Sequence, residues 1–278
     1  MISVLVSRFA GLTLAALLCV ACASRSTLPI QTPSVPASPV ATATPALRQA
    51  ILLTTTGEVT IQRSTWTKMA PTTGITVLFE GDQIHVAPGA KARLLCSDFK
   101  TVYEPPPGRV QGVTAACPTQ AVPLMIGDQR ALPVRSPTPD GLPYVTSPRF
   151  TRLLDANPEL SWNPVTTVTT YTVSLRDPNS TSNQAFWVRT VSGTRLRYDG
   201  KPLVPEKLYW VEVTDGTATE RSEFHIASPA VQRALAEQVA WLDQKLSDPL
   251  ERAVAVALLY GSEGLYADAV NVLEPVTD

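Results

Sequence analysis

The chain has 278 residues, enough for two small domains and some additional segments. A formal net charge of −1 removes the electrostatic case for a nucleic-acid or polyanion partner. Charged residues make up only 17% and 25 prolines outnumber 14 glycines, a mixture suited to β-strands broken by proline-containing loops rather than to a helical protein.

The first 21 residues carry one positive charge, Arg8, then the apolar run Phe9–Val20, and lead into Ala21, Cys22 and Ala23. An apolar core this short behind a basic residue predicts an export signal rather than a membrane-spanning helix. A cysteine directly after a small residue resembles the bacterial lipoprotein signal. That resemblance implies cleavage before Cys22, a diacylglycerol on its thiol and no cytoplasmic half to the mature protein. Cys19 departs from the pattern, standing where leucine is usual, with Leu17 and Leu18 just upstream. An uncleaved anchor and a plainly secreted form are the alternatives, and both also export the rest of the chain. Of the four cysteines, Cys96 and Cys117 then remain, and in an oxidising compartment they are expected to pair. The alternative, a two-thiol metal site, would need more ligands than flank them.

Residues 22–47 are rich in Pro, Ser, Thr and Ala without apolar periodicity, which predicts an extended tether. In polyproline II form the stretch Ala23–Ala46 would reach up to roughly 70 Å, at about 3.1 Å per residue.

The first predicted folded unit is 48–134. Apolar and polar residues alternate through Val59, Thr60, Ile61 and Gln62, and further short strands are predicted at 51–54, 75–79, 83–86, 92–96, 101–104 and 109–114. Short strands separated by Gly, Pro or Asp predict a sandwich or small barrel. Gly57, Val59 and Ile61, then Gly74, then Leu78, Gly81, Asp82 and Ile84, then Gly89, Ala90, Ala92 and Leu94, and finally Asp98 resemble the FecR-like domain. That family sits on the outer side of membranes, and some members relay signals. It often has glycine after the aspartate where this chain has Phe99, so the resemblance implies an altered hairpin there. Cys96 and Cys117 would pin that hairpin to the last strand.

Five prolines between Pro133 and Pro148 predict a semi-rigid connector, 135–150. The second unit, 151–227, shows strand alternation at 158–162, 171–175, 186–191, 195–198, 208–213 and 223–226. Leu203, Pro205, Tyr209 and Val213 resemble the corner segment of fibronectin type III domains. The resemblance implies that the Tyr209 hydroxyl bonds the preceding backbone and that Trp162 fills the gap between two sheets. The expected fold class is therefore mainly β: a FecR-like β domain plus an Ig/fibronectin-like sandwich, with a short C-terminal helical segment.

That segment, 228–278, opens with Ser228 as a cap and Pro229 at the first helical position. Val231, Leu235, Val239, Leu242 and Leu246 form one apolar stripe. Asp248 and Pro249 start a second helix, Gly264 ends it, and a third follows from Tyr266. Val256, Ala257, Tyr260, Gly264, Tyr266, Ala269 and Leu273 resemble one tetratricopeptide repeat. A lone repeat cannot bury its own face, so it must dock on the first helix, on a β domain or on a partner.

Catalytic signals are absent from the sequence. The two histidines, His85 and His225, each lie between apolar neighbours in predicted strands, which places both on the face opposite the core. No nucleophile elbow, zincin motif, phosphate loop or spaced metal-ligand cluster occurs. The acidic pairs Asp243/Asp248 and Glu220/Glu223 are expected on exposed faces. Arg189, Arg195 and Arg197 form either a basic patch on one sheet or a solvated face balanced by Asp199 and Glu212. Trp66, Trp187 and Trp241 are either exposed gripping residues or members of core or satellite clusters. These observations lead to a non-enzymatic envelope lipoprotein, membrane-held through its lipid, that binds or scaffolds a protein partner, with the repeat-like end as the expected contact surface. No cofactor, nucleic-acid or small-molecule partner is expected. A FecR-like sensory accessory is the alternative, and a cell-wall hydrolase the weaker one.

Overall fold

The computed structural model describes residues 47–118, 122–123, 141–182 and 184–277. Cys22 and the tether as far as residue 46 lie outside them, as do residues 135–140 of the connector.

In the first unit, β1 (Leu47–Thr56) turns at Gly57 into β2 (Val59–Gln62). Gly57 has φ +77°, and a Cβ there would meet the Ala90 Cβ at 3.0 Å, so only glycine fits both the turn and the close approach. There follow β3 (Ala70–Pro71), β4 (Thr76–Phe79), β5 (Gln83–Val86), β6 (Lys91–Cys96), β7 (Val102–Tyr103) and β8 (Val110–Gly112). A single helical turn, α1 (Val113–Ala116), precedes β9 (Val122–Pro123). One sheet has the order β4-β1-β6-β7, with β9 also on β1, and the other the order β3-β2-β5-β8. Ala50, Leu52, Leu78 and Leu94 of the first face Val59, Ile61, Ile84 and Val86 of the second in one core.

Two local expectations change here. The strand predicted over 109–114 stops at Gly112, because the Val113 N–H turns aside to Asp82 O at 2.8 Å and Cys117 N–H closes a helical turn on Val113 O. The disulfide between Cys96 and Cys117 therefore ties the end of β6 to that turn, not to a strand. The hairpin after Asp98, by contrast, keeps a glycine-like turn. Phe99 itself adopts φ +53°, and Asp98 accepts from the backbone N–H groups of Lys100 and Thr101 at 2.9 and 3.1 Å. The strained backbone costs about 1 kcal/mol. It is offset by the ring, which is buried among the residues of the helical segment with the Arg48 guanidinium 4.8 Å from its centre. Burial of that guanidinium holds its pKa below the ordinary arginine value.

The second unit is a two-sheet sandwich. Its strands are β10 (Val145–Ser147), β11 (Thr151–Leu153), β12 (Glu159–Trp162), β13 (Tyr171–Arg176), β14 (Ala185–Val191), β15 (Arg195–Arg197), β16 (Leu208–Thr214) and β17 (Thr219–Ile226). The three-stranded sheet is β10-β12-β15 and the five-stranded sheet β11-β17-β16-β13-β14. This is Ig/fibronectin-like: the first strand pairs in one sheet, then crosses so that β11 runs parallel to β17 in the other. Strand β10 lies inside the stretch predicted as connector. Pro143 and Pro148 flank this short edge strand, and flanking prolines conceal such a strand from a periodicity reading.

The helices are α2 (Pro229–Lys245), α3 (Pro249–Ser262) and α4 (Tyr266–Thr277). Ser228 caps α2 by accepting from Val231 N–H, and Asp248 caps α3 by accepting from Leu250 and Glu251 N–H. Their apolar faces, including Leu235, Leu242, Val256 and Leu259, bury Ile51, Leu53 and Leu95, which project from the far side of the β1–β6 sheet. That sheet is thus covered on both faces, and each fully buried Leu or Ile contributes about 1.5–3 kcal/mol. Arg93 on β6 donates to Glu251 on α3 at 2.9 Å, fixing the helices further. The repeat-like end spends its apolar face inside its own chain, which alters the expectation that this face is the partner surface. Among the described residues no helix is long and apolar enough to cross a membrane.

Candidate functional site

Helix α4 is set against the sandwich by a residue far from it in sequence. Position 265 is a leucine and cannot cap the helix with its side chain. Instead Thr151 Oγ1 on β11 accepts from the N–H groups of Tyr266 and Ala267 at 2.9 and 3.4 Å. The same strand binds the preceding loop through Arg152 N–H to Gly264 O at 2.8 Å. One turn on, Leu154 N–H donates to Asp268 Oδ2 at 3.1 Å.

A cleft of about 720 Å³ opens beside this joint. Its floor is the outward face of the three-stranded sheet, with Thr146, Ser161, Glu159, Arg195 and Arg197. Its wall is the α4 stripe Ala267, Val270, Asn271 and Glu274, spaced at three and four residues so that all four face one side. Thr146 and Ser161 share a hydroxyl hydrogen bond of 2.8 Å.

The charges in the cleft are mostly matched. Arg195 pairs with Glu159 at 3.4 Å, and Arg197 with Asp155. Arg149 and Asp268 stand in no ion pair among the described residues, and Glu274 adds a further carboxylate to the lining. Arg149 donates Nη1 to Val145 O at 3.3 Å and lies over the Phe150 ring. Asp268 is half-buried; desolvation pushes its pKa above the ordinary aspartate value, the Leu154 N–H draws it partly back, and nearby Asp155 adds to the rise.

No protein-family model matches the chain, and no curated protein matches it. Among solved structures it is similar to the FN1-FN3 domains of chicken CNTN1, at 11% identity and TM-score 0.24, covering 65% of this chain and 57% of that one. It is also similar to the BSP domain of a biofilm associated protein, at 10% identity and TM-score 0.23, covering 66% and 25%. A Dscam structure concerned with isoform specificity gives 8% identity and TM-score 0.19, covering 66% and 42%. The chain thus spans well under two thirds of each of these. At such scores the fold class rests on the chain's own strand pairing, given above.

The residues singled out in the sequence are scattered over the molecule. Gly81 has φ +84° and leads into Asp82, whose buried carboxylate accepts from Phe79 N–H at 2.9 Å and from Arg63 Nη1 at 2.8 Å. Trp162 is buried and meets Tyr171 edge-on at 5.7 Å, and Tyr209 Oη accepts from Val204 N–H at 2.8 Å. His85 and His225 are half-buried on outward strand faces of different units. Among the described residues no group of three or more His, Cys, Asp or Glu gathers in metal-binding range.

Two expectations are corrected, and the open reading of the tryptophans is decided. Trp187 is buried, because its indole N–H donates to Asp199 at 2.6 Å while its ring packs on Tyr198. That indole, and then Arg189, hold Asp199 below the ordinary aspartate pKa. Trp66 is exposed as expected, and Trp241 half-buried. Arg189 sits on β14 in the other sheet from Arg195 and Arg197, so the three make no single patch. Asp199 balances Arg189, but Glu212 pairs with Arg176. Glu220 is buried rather than exposed, since it falls in register with the core-facing residues Ser222 and Phe224 of β17. Asp243 lies 3.7 Å from Arg252. The residues that do build the cleft, Thr151, Arg149 and Asp268, gave no sequence signal, because none belongs to a spaced motif.

Proposed function

We propose that this chain is a non-catalytic, lipid-anchored protein of the bacterial cell envelope that binds or spaces a protein partner. The observation that carries the reading is the joint built by the C-terminal helices. They share one apolar cluster with the first β unit, and α4 is capped by Thr151 of the sandwich, so the described chain from the first strand onward packs as one compact unit. A tethered body of this kind suits presentation of a surface at a distance from a membrane. Acylation of Cys22 and the extended tether supply the anchor and the reach. With the apolar faces of the helices consumed internally, the polar cleft is the surface offered for recognition.

The sensory alternative draws on a separate observation. The turns at Gly57 and Gly81–Asp82, which carry the FecR-like resemblance, are places where the backbone requires those residues. A membrane-spanning receptor as the main partner would favour this reading.

Mass spectrometry of protein extracted from envelopes tests the anchor: the mature chain should begin at an acylated Cys22. Cross-linking in intact cells then tests the binding role, with a defined protein adduct expected. Release of soluble fragments from purified peptidoglycan would overturn the non-catalytic reading.

A further inference from the structure

The cleft between α4 and the three-stranded sheet holds two kinds of charge. Arg195 and Arg197 are neutralised by Glu159 and Asp155 in exposed pairs, which hold their partners only weakly. Arg149 and Asp268 line the same cleft without an ion-pair partner among the described residues. They are opposite in sign. The Arg149 guanidinium has five N–H donors and spends Nη1 on a backbone carbonyl, leaving capacity for a carboxylate. The Asp268 carboxylate accepts the Leu154 N–H at Oδ2 and is half-desolvated, a state that an incoming ammonium group relieves. The volume of about 720 Å³ lies within the range of pockets that enclose a small ligand. Ser161, Thr146 and Asn271 of the same lining supply hydrogen-bonding groups for amides.

We infer that this cleft binds a short peptide carrying both a free ammonium and a free carboxylate, the carboxylate on Arg149 and the ammonium on Asp268. The assignment deepens the binding reading above, and rests on it only in naming what the cleft recognises. Three features set the specificity. Arg149 and Asp268, opposite in sign and outside the ion pairs, favour a zwitterion over a simple anion or cation. The two matched pairs, Arg195–Glu159 and Arg197–Asp155, add no net charge of their own. The sheet floor and helix wall leave the cleft open, so a peptide can enter lengthwise.

Calorimetric titration of the full-length protein with di- to hexa-alanine, each with free ends, blocked at one end, or blocked at both, tests this. At least one free-ended length should bind, and blocking either end should weaken it tenfold or more. In Arg149→Gln, blocking the carboxyl end should cost nothing further; in Asp268→Asn, the same should hold for the amino end. Asp268→Asn keeps an oxygen for the Leu154 N–H, and a melting curve checks that it folds; if it does not, the comparison of blocked and free peptides on the unaltered protein decides. Absence of binding by every free-ended length, or equal binding by doubly blocked peptide, overturns the inference. A silent cleft alongside a protein adduct from cross-linking would sink this assignment and leave the binding role standing.

Discussion

Thr151 Oγ1 accepts the backbone N–H of Tyr266 at 2.9 Å, across 115 residues of sequence. Helix α4 thus receives its cap from a strand of the sandwich, and the cleft wall stands where that hydroxyl holds it. Removing the oxygen leaves the first N–H groups of α4 unpaired in a half-buried joint. Thr151→Val should lower stability by about 1–2 kcal/mol, and Thr151→Ser should restore most of it. Urea denaturation followed by far-UV circular dichroism measures both.

Phe99 combines a glycine-like backbone with a buried ring, and two variants separate the contributions. Phe99→Ala loses the ring and keeps the strained φ, with an expected loss of about 3–5 kcal/mol. Phe99→Gly loses the same ring but relieves the backbone, and should be about 1 kcal/mol more stable than the alanine variant. Equal stability of the two would show that the turn carries no strain.

The pair Arg93–Glu251 joins β6 to α3 at 2.9 Å, with the carboxylate buried. Arg93→Met strands that carboxylate and should destabilise by about 3 kcal/mol, whereas Arg93→Met with Glu251→Leu should recover most of the loss. A double-mutant cycle by chemical denaturation reads the coupling.

The bond between Cys96 and Cys117 closes a loop across 21 positions. Replacing both with serine should cost about 3 kcal/mol in the chain-entropy account. Non-reducing electrophoresis and thermal melting, with and without reductant, check the bond and its contribution.

Asp268 has its pKa raised in the folded state by burial. The folded protein therefore holds this proton more tightly than the unfolded chain does. The stability linked to it is fully present below the ordinary aspartate value and is lost as pH rises through the raised value. Asp268→Asn should flatten the dependence of melting temperature on pH across that window and leave it unchanged or higher at neutral pH. A steeper dependence in the variant would contradict the assignment.

Strands and caps were legible because their causes are local. Alternation through Val59–Gln62 and Tyr171–Leu175, the Ser228–Pro229 and Asp248–Pro249 helix starts, and the half-buried outward positions of His85 and His225 all follow from neighbours a few residues apart. One long-range hint was also present. The unbroken apolar run Ile51-Leu52-Leu53, paired with Leu94-Leu95, fits a sheet covered on both faces, but a reading by alternation passes over it.

Tertiary structure decided the rest. Position 151 has no sequence neighbour that marks it as a cap for position 266, and Trp187 reads equally as exposed or packed until its bond to Asp199 and its contact with Tyr198 place it. The strand and helix periods are properties of short stretches and could be read directly. The cleft, its unmatched pair Arg149 and Asp268, and the internal use of the repeat-like helices depend on which distant surfaces meet. That choice is made by burial summed over many residues, and no single stretch of sequence records it.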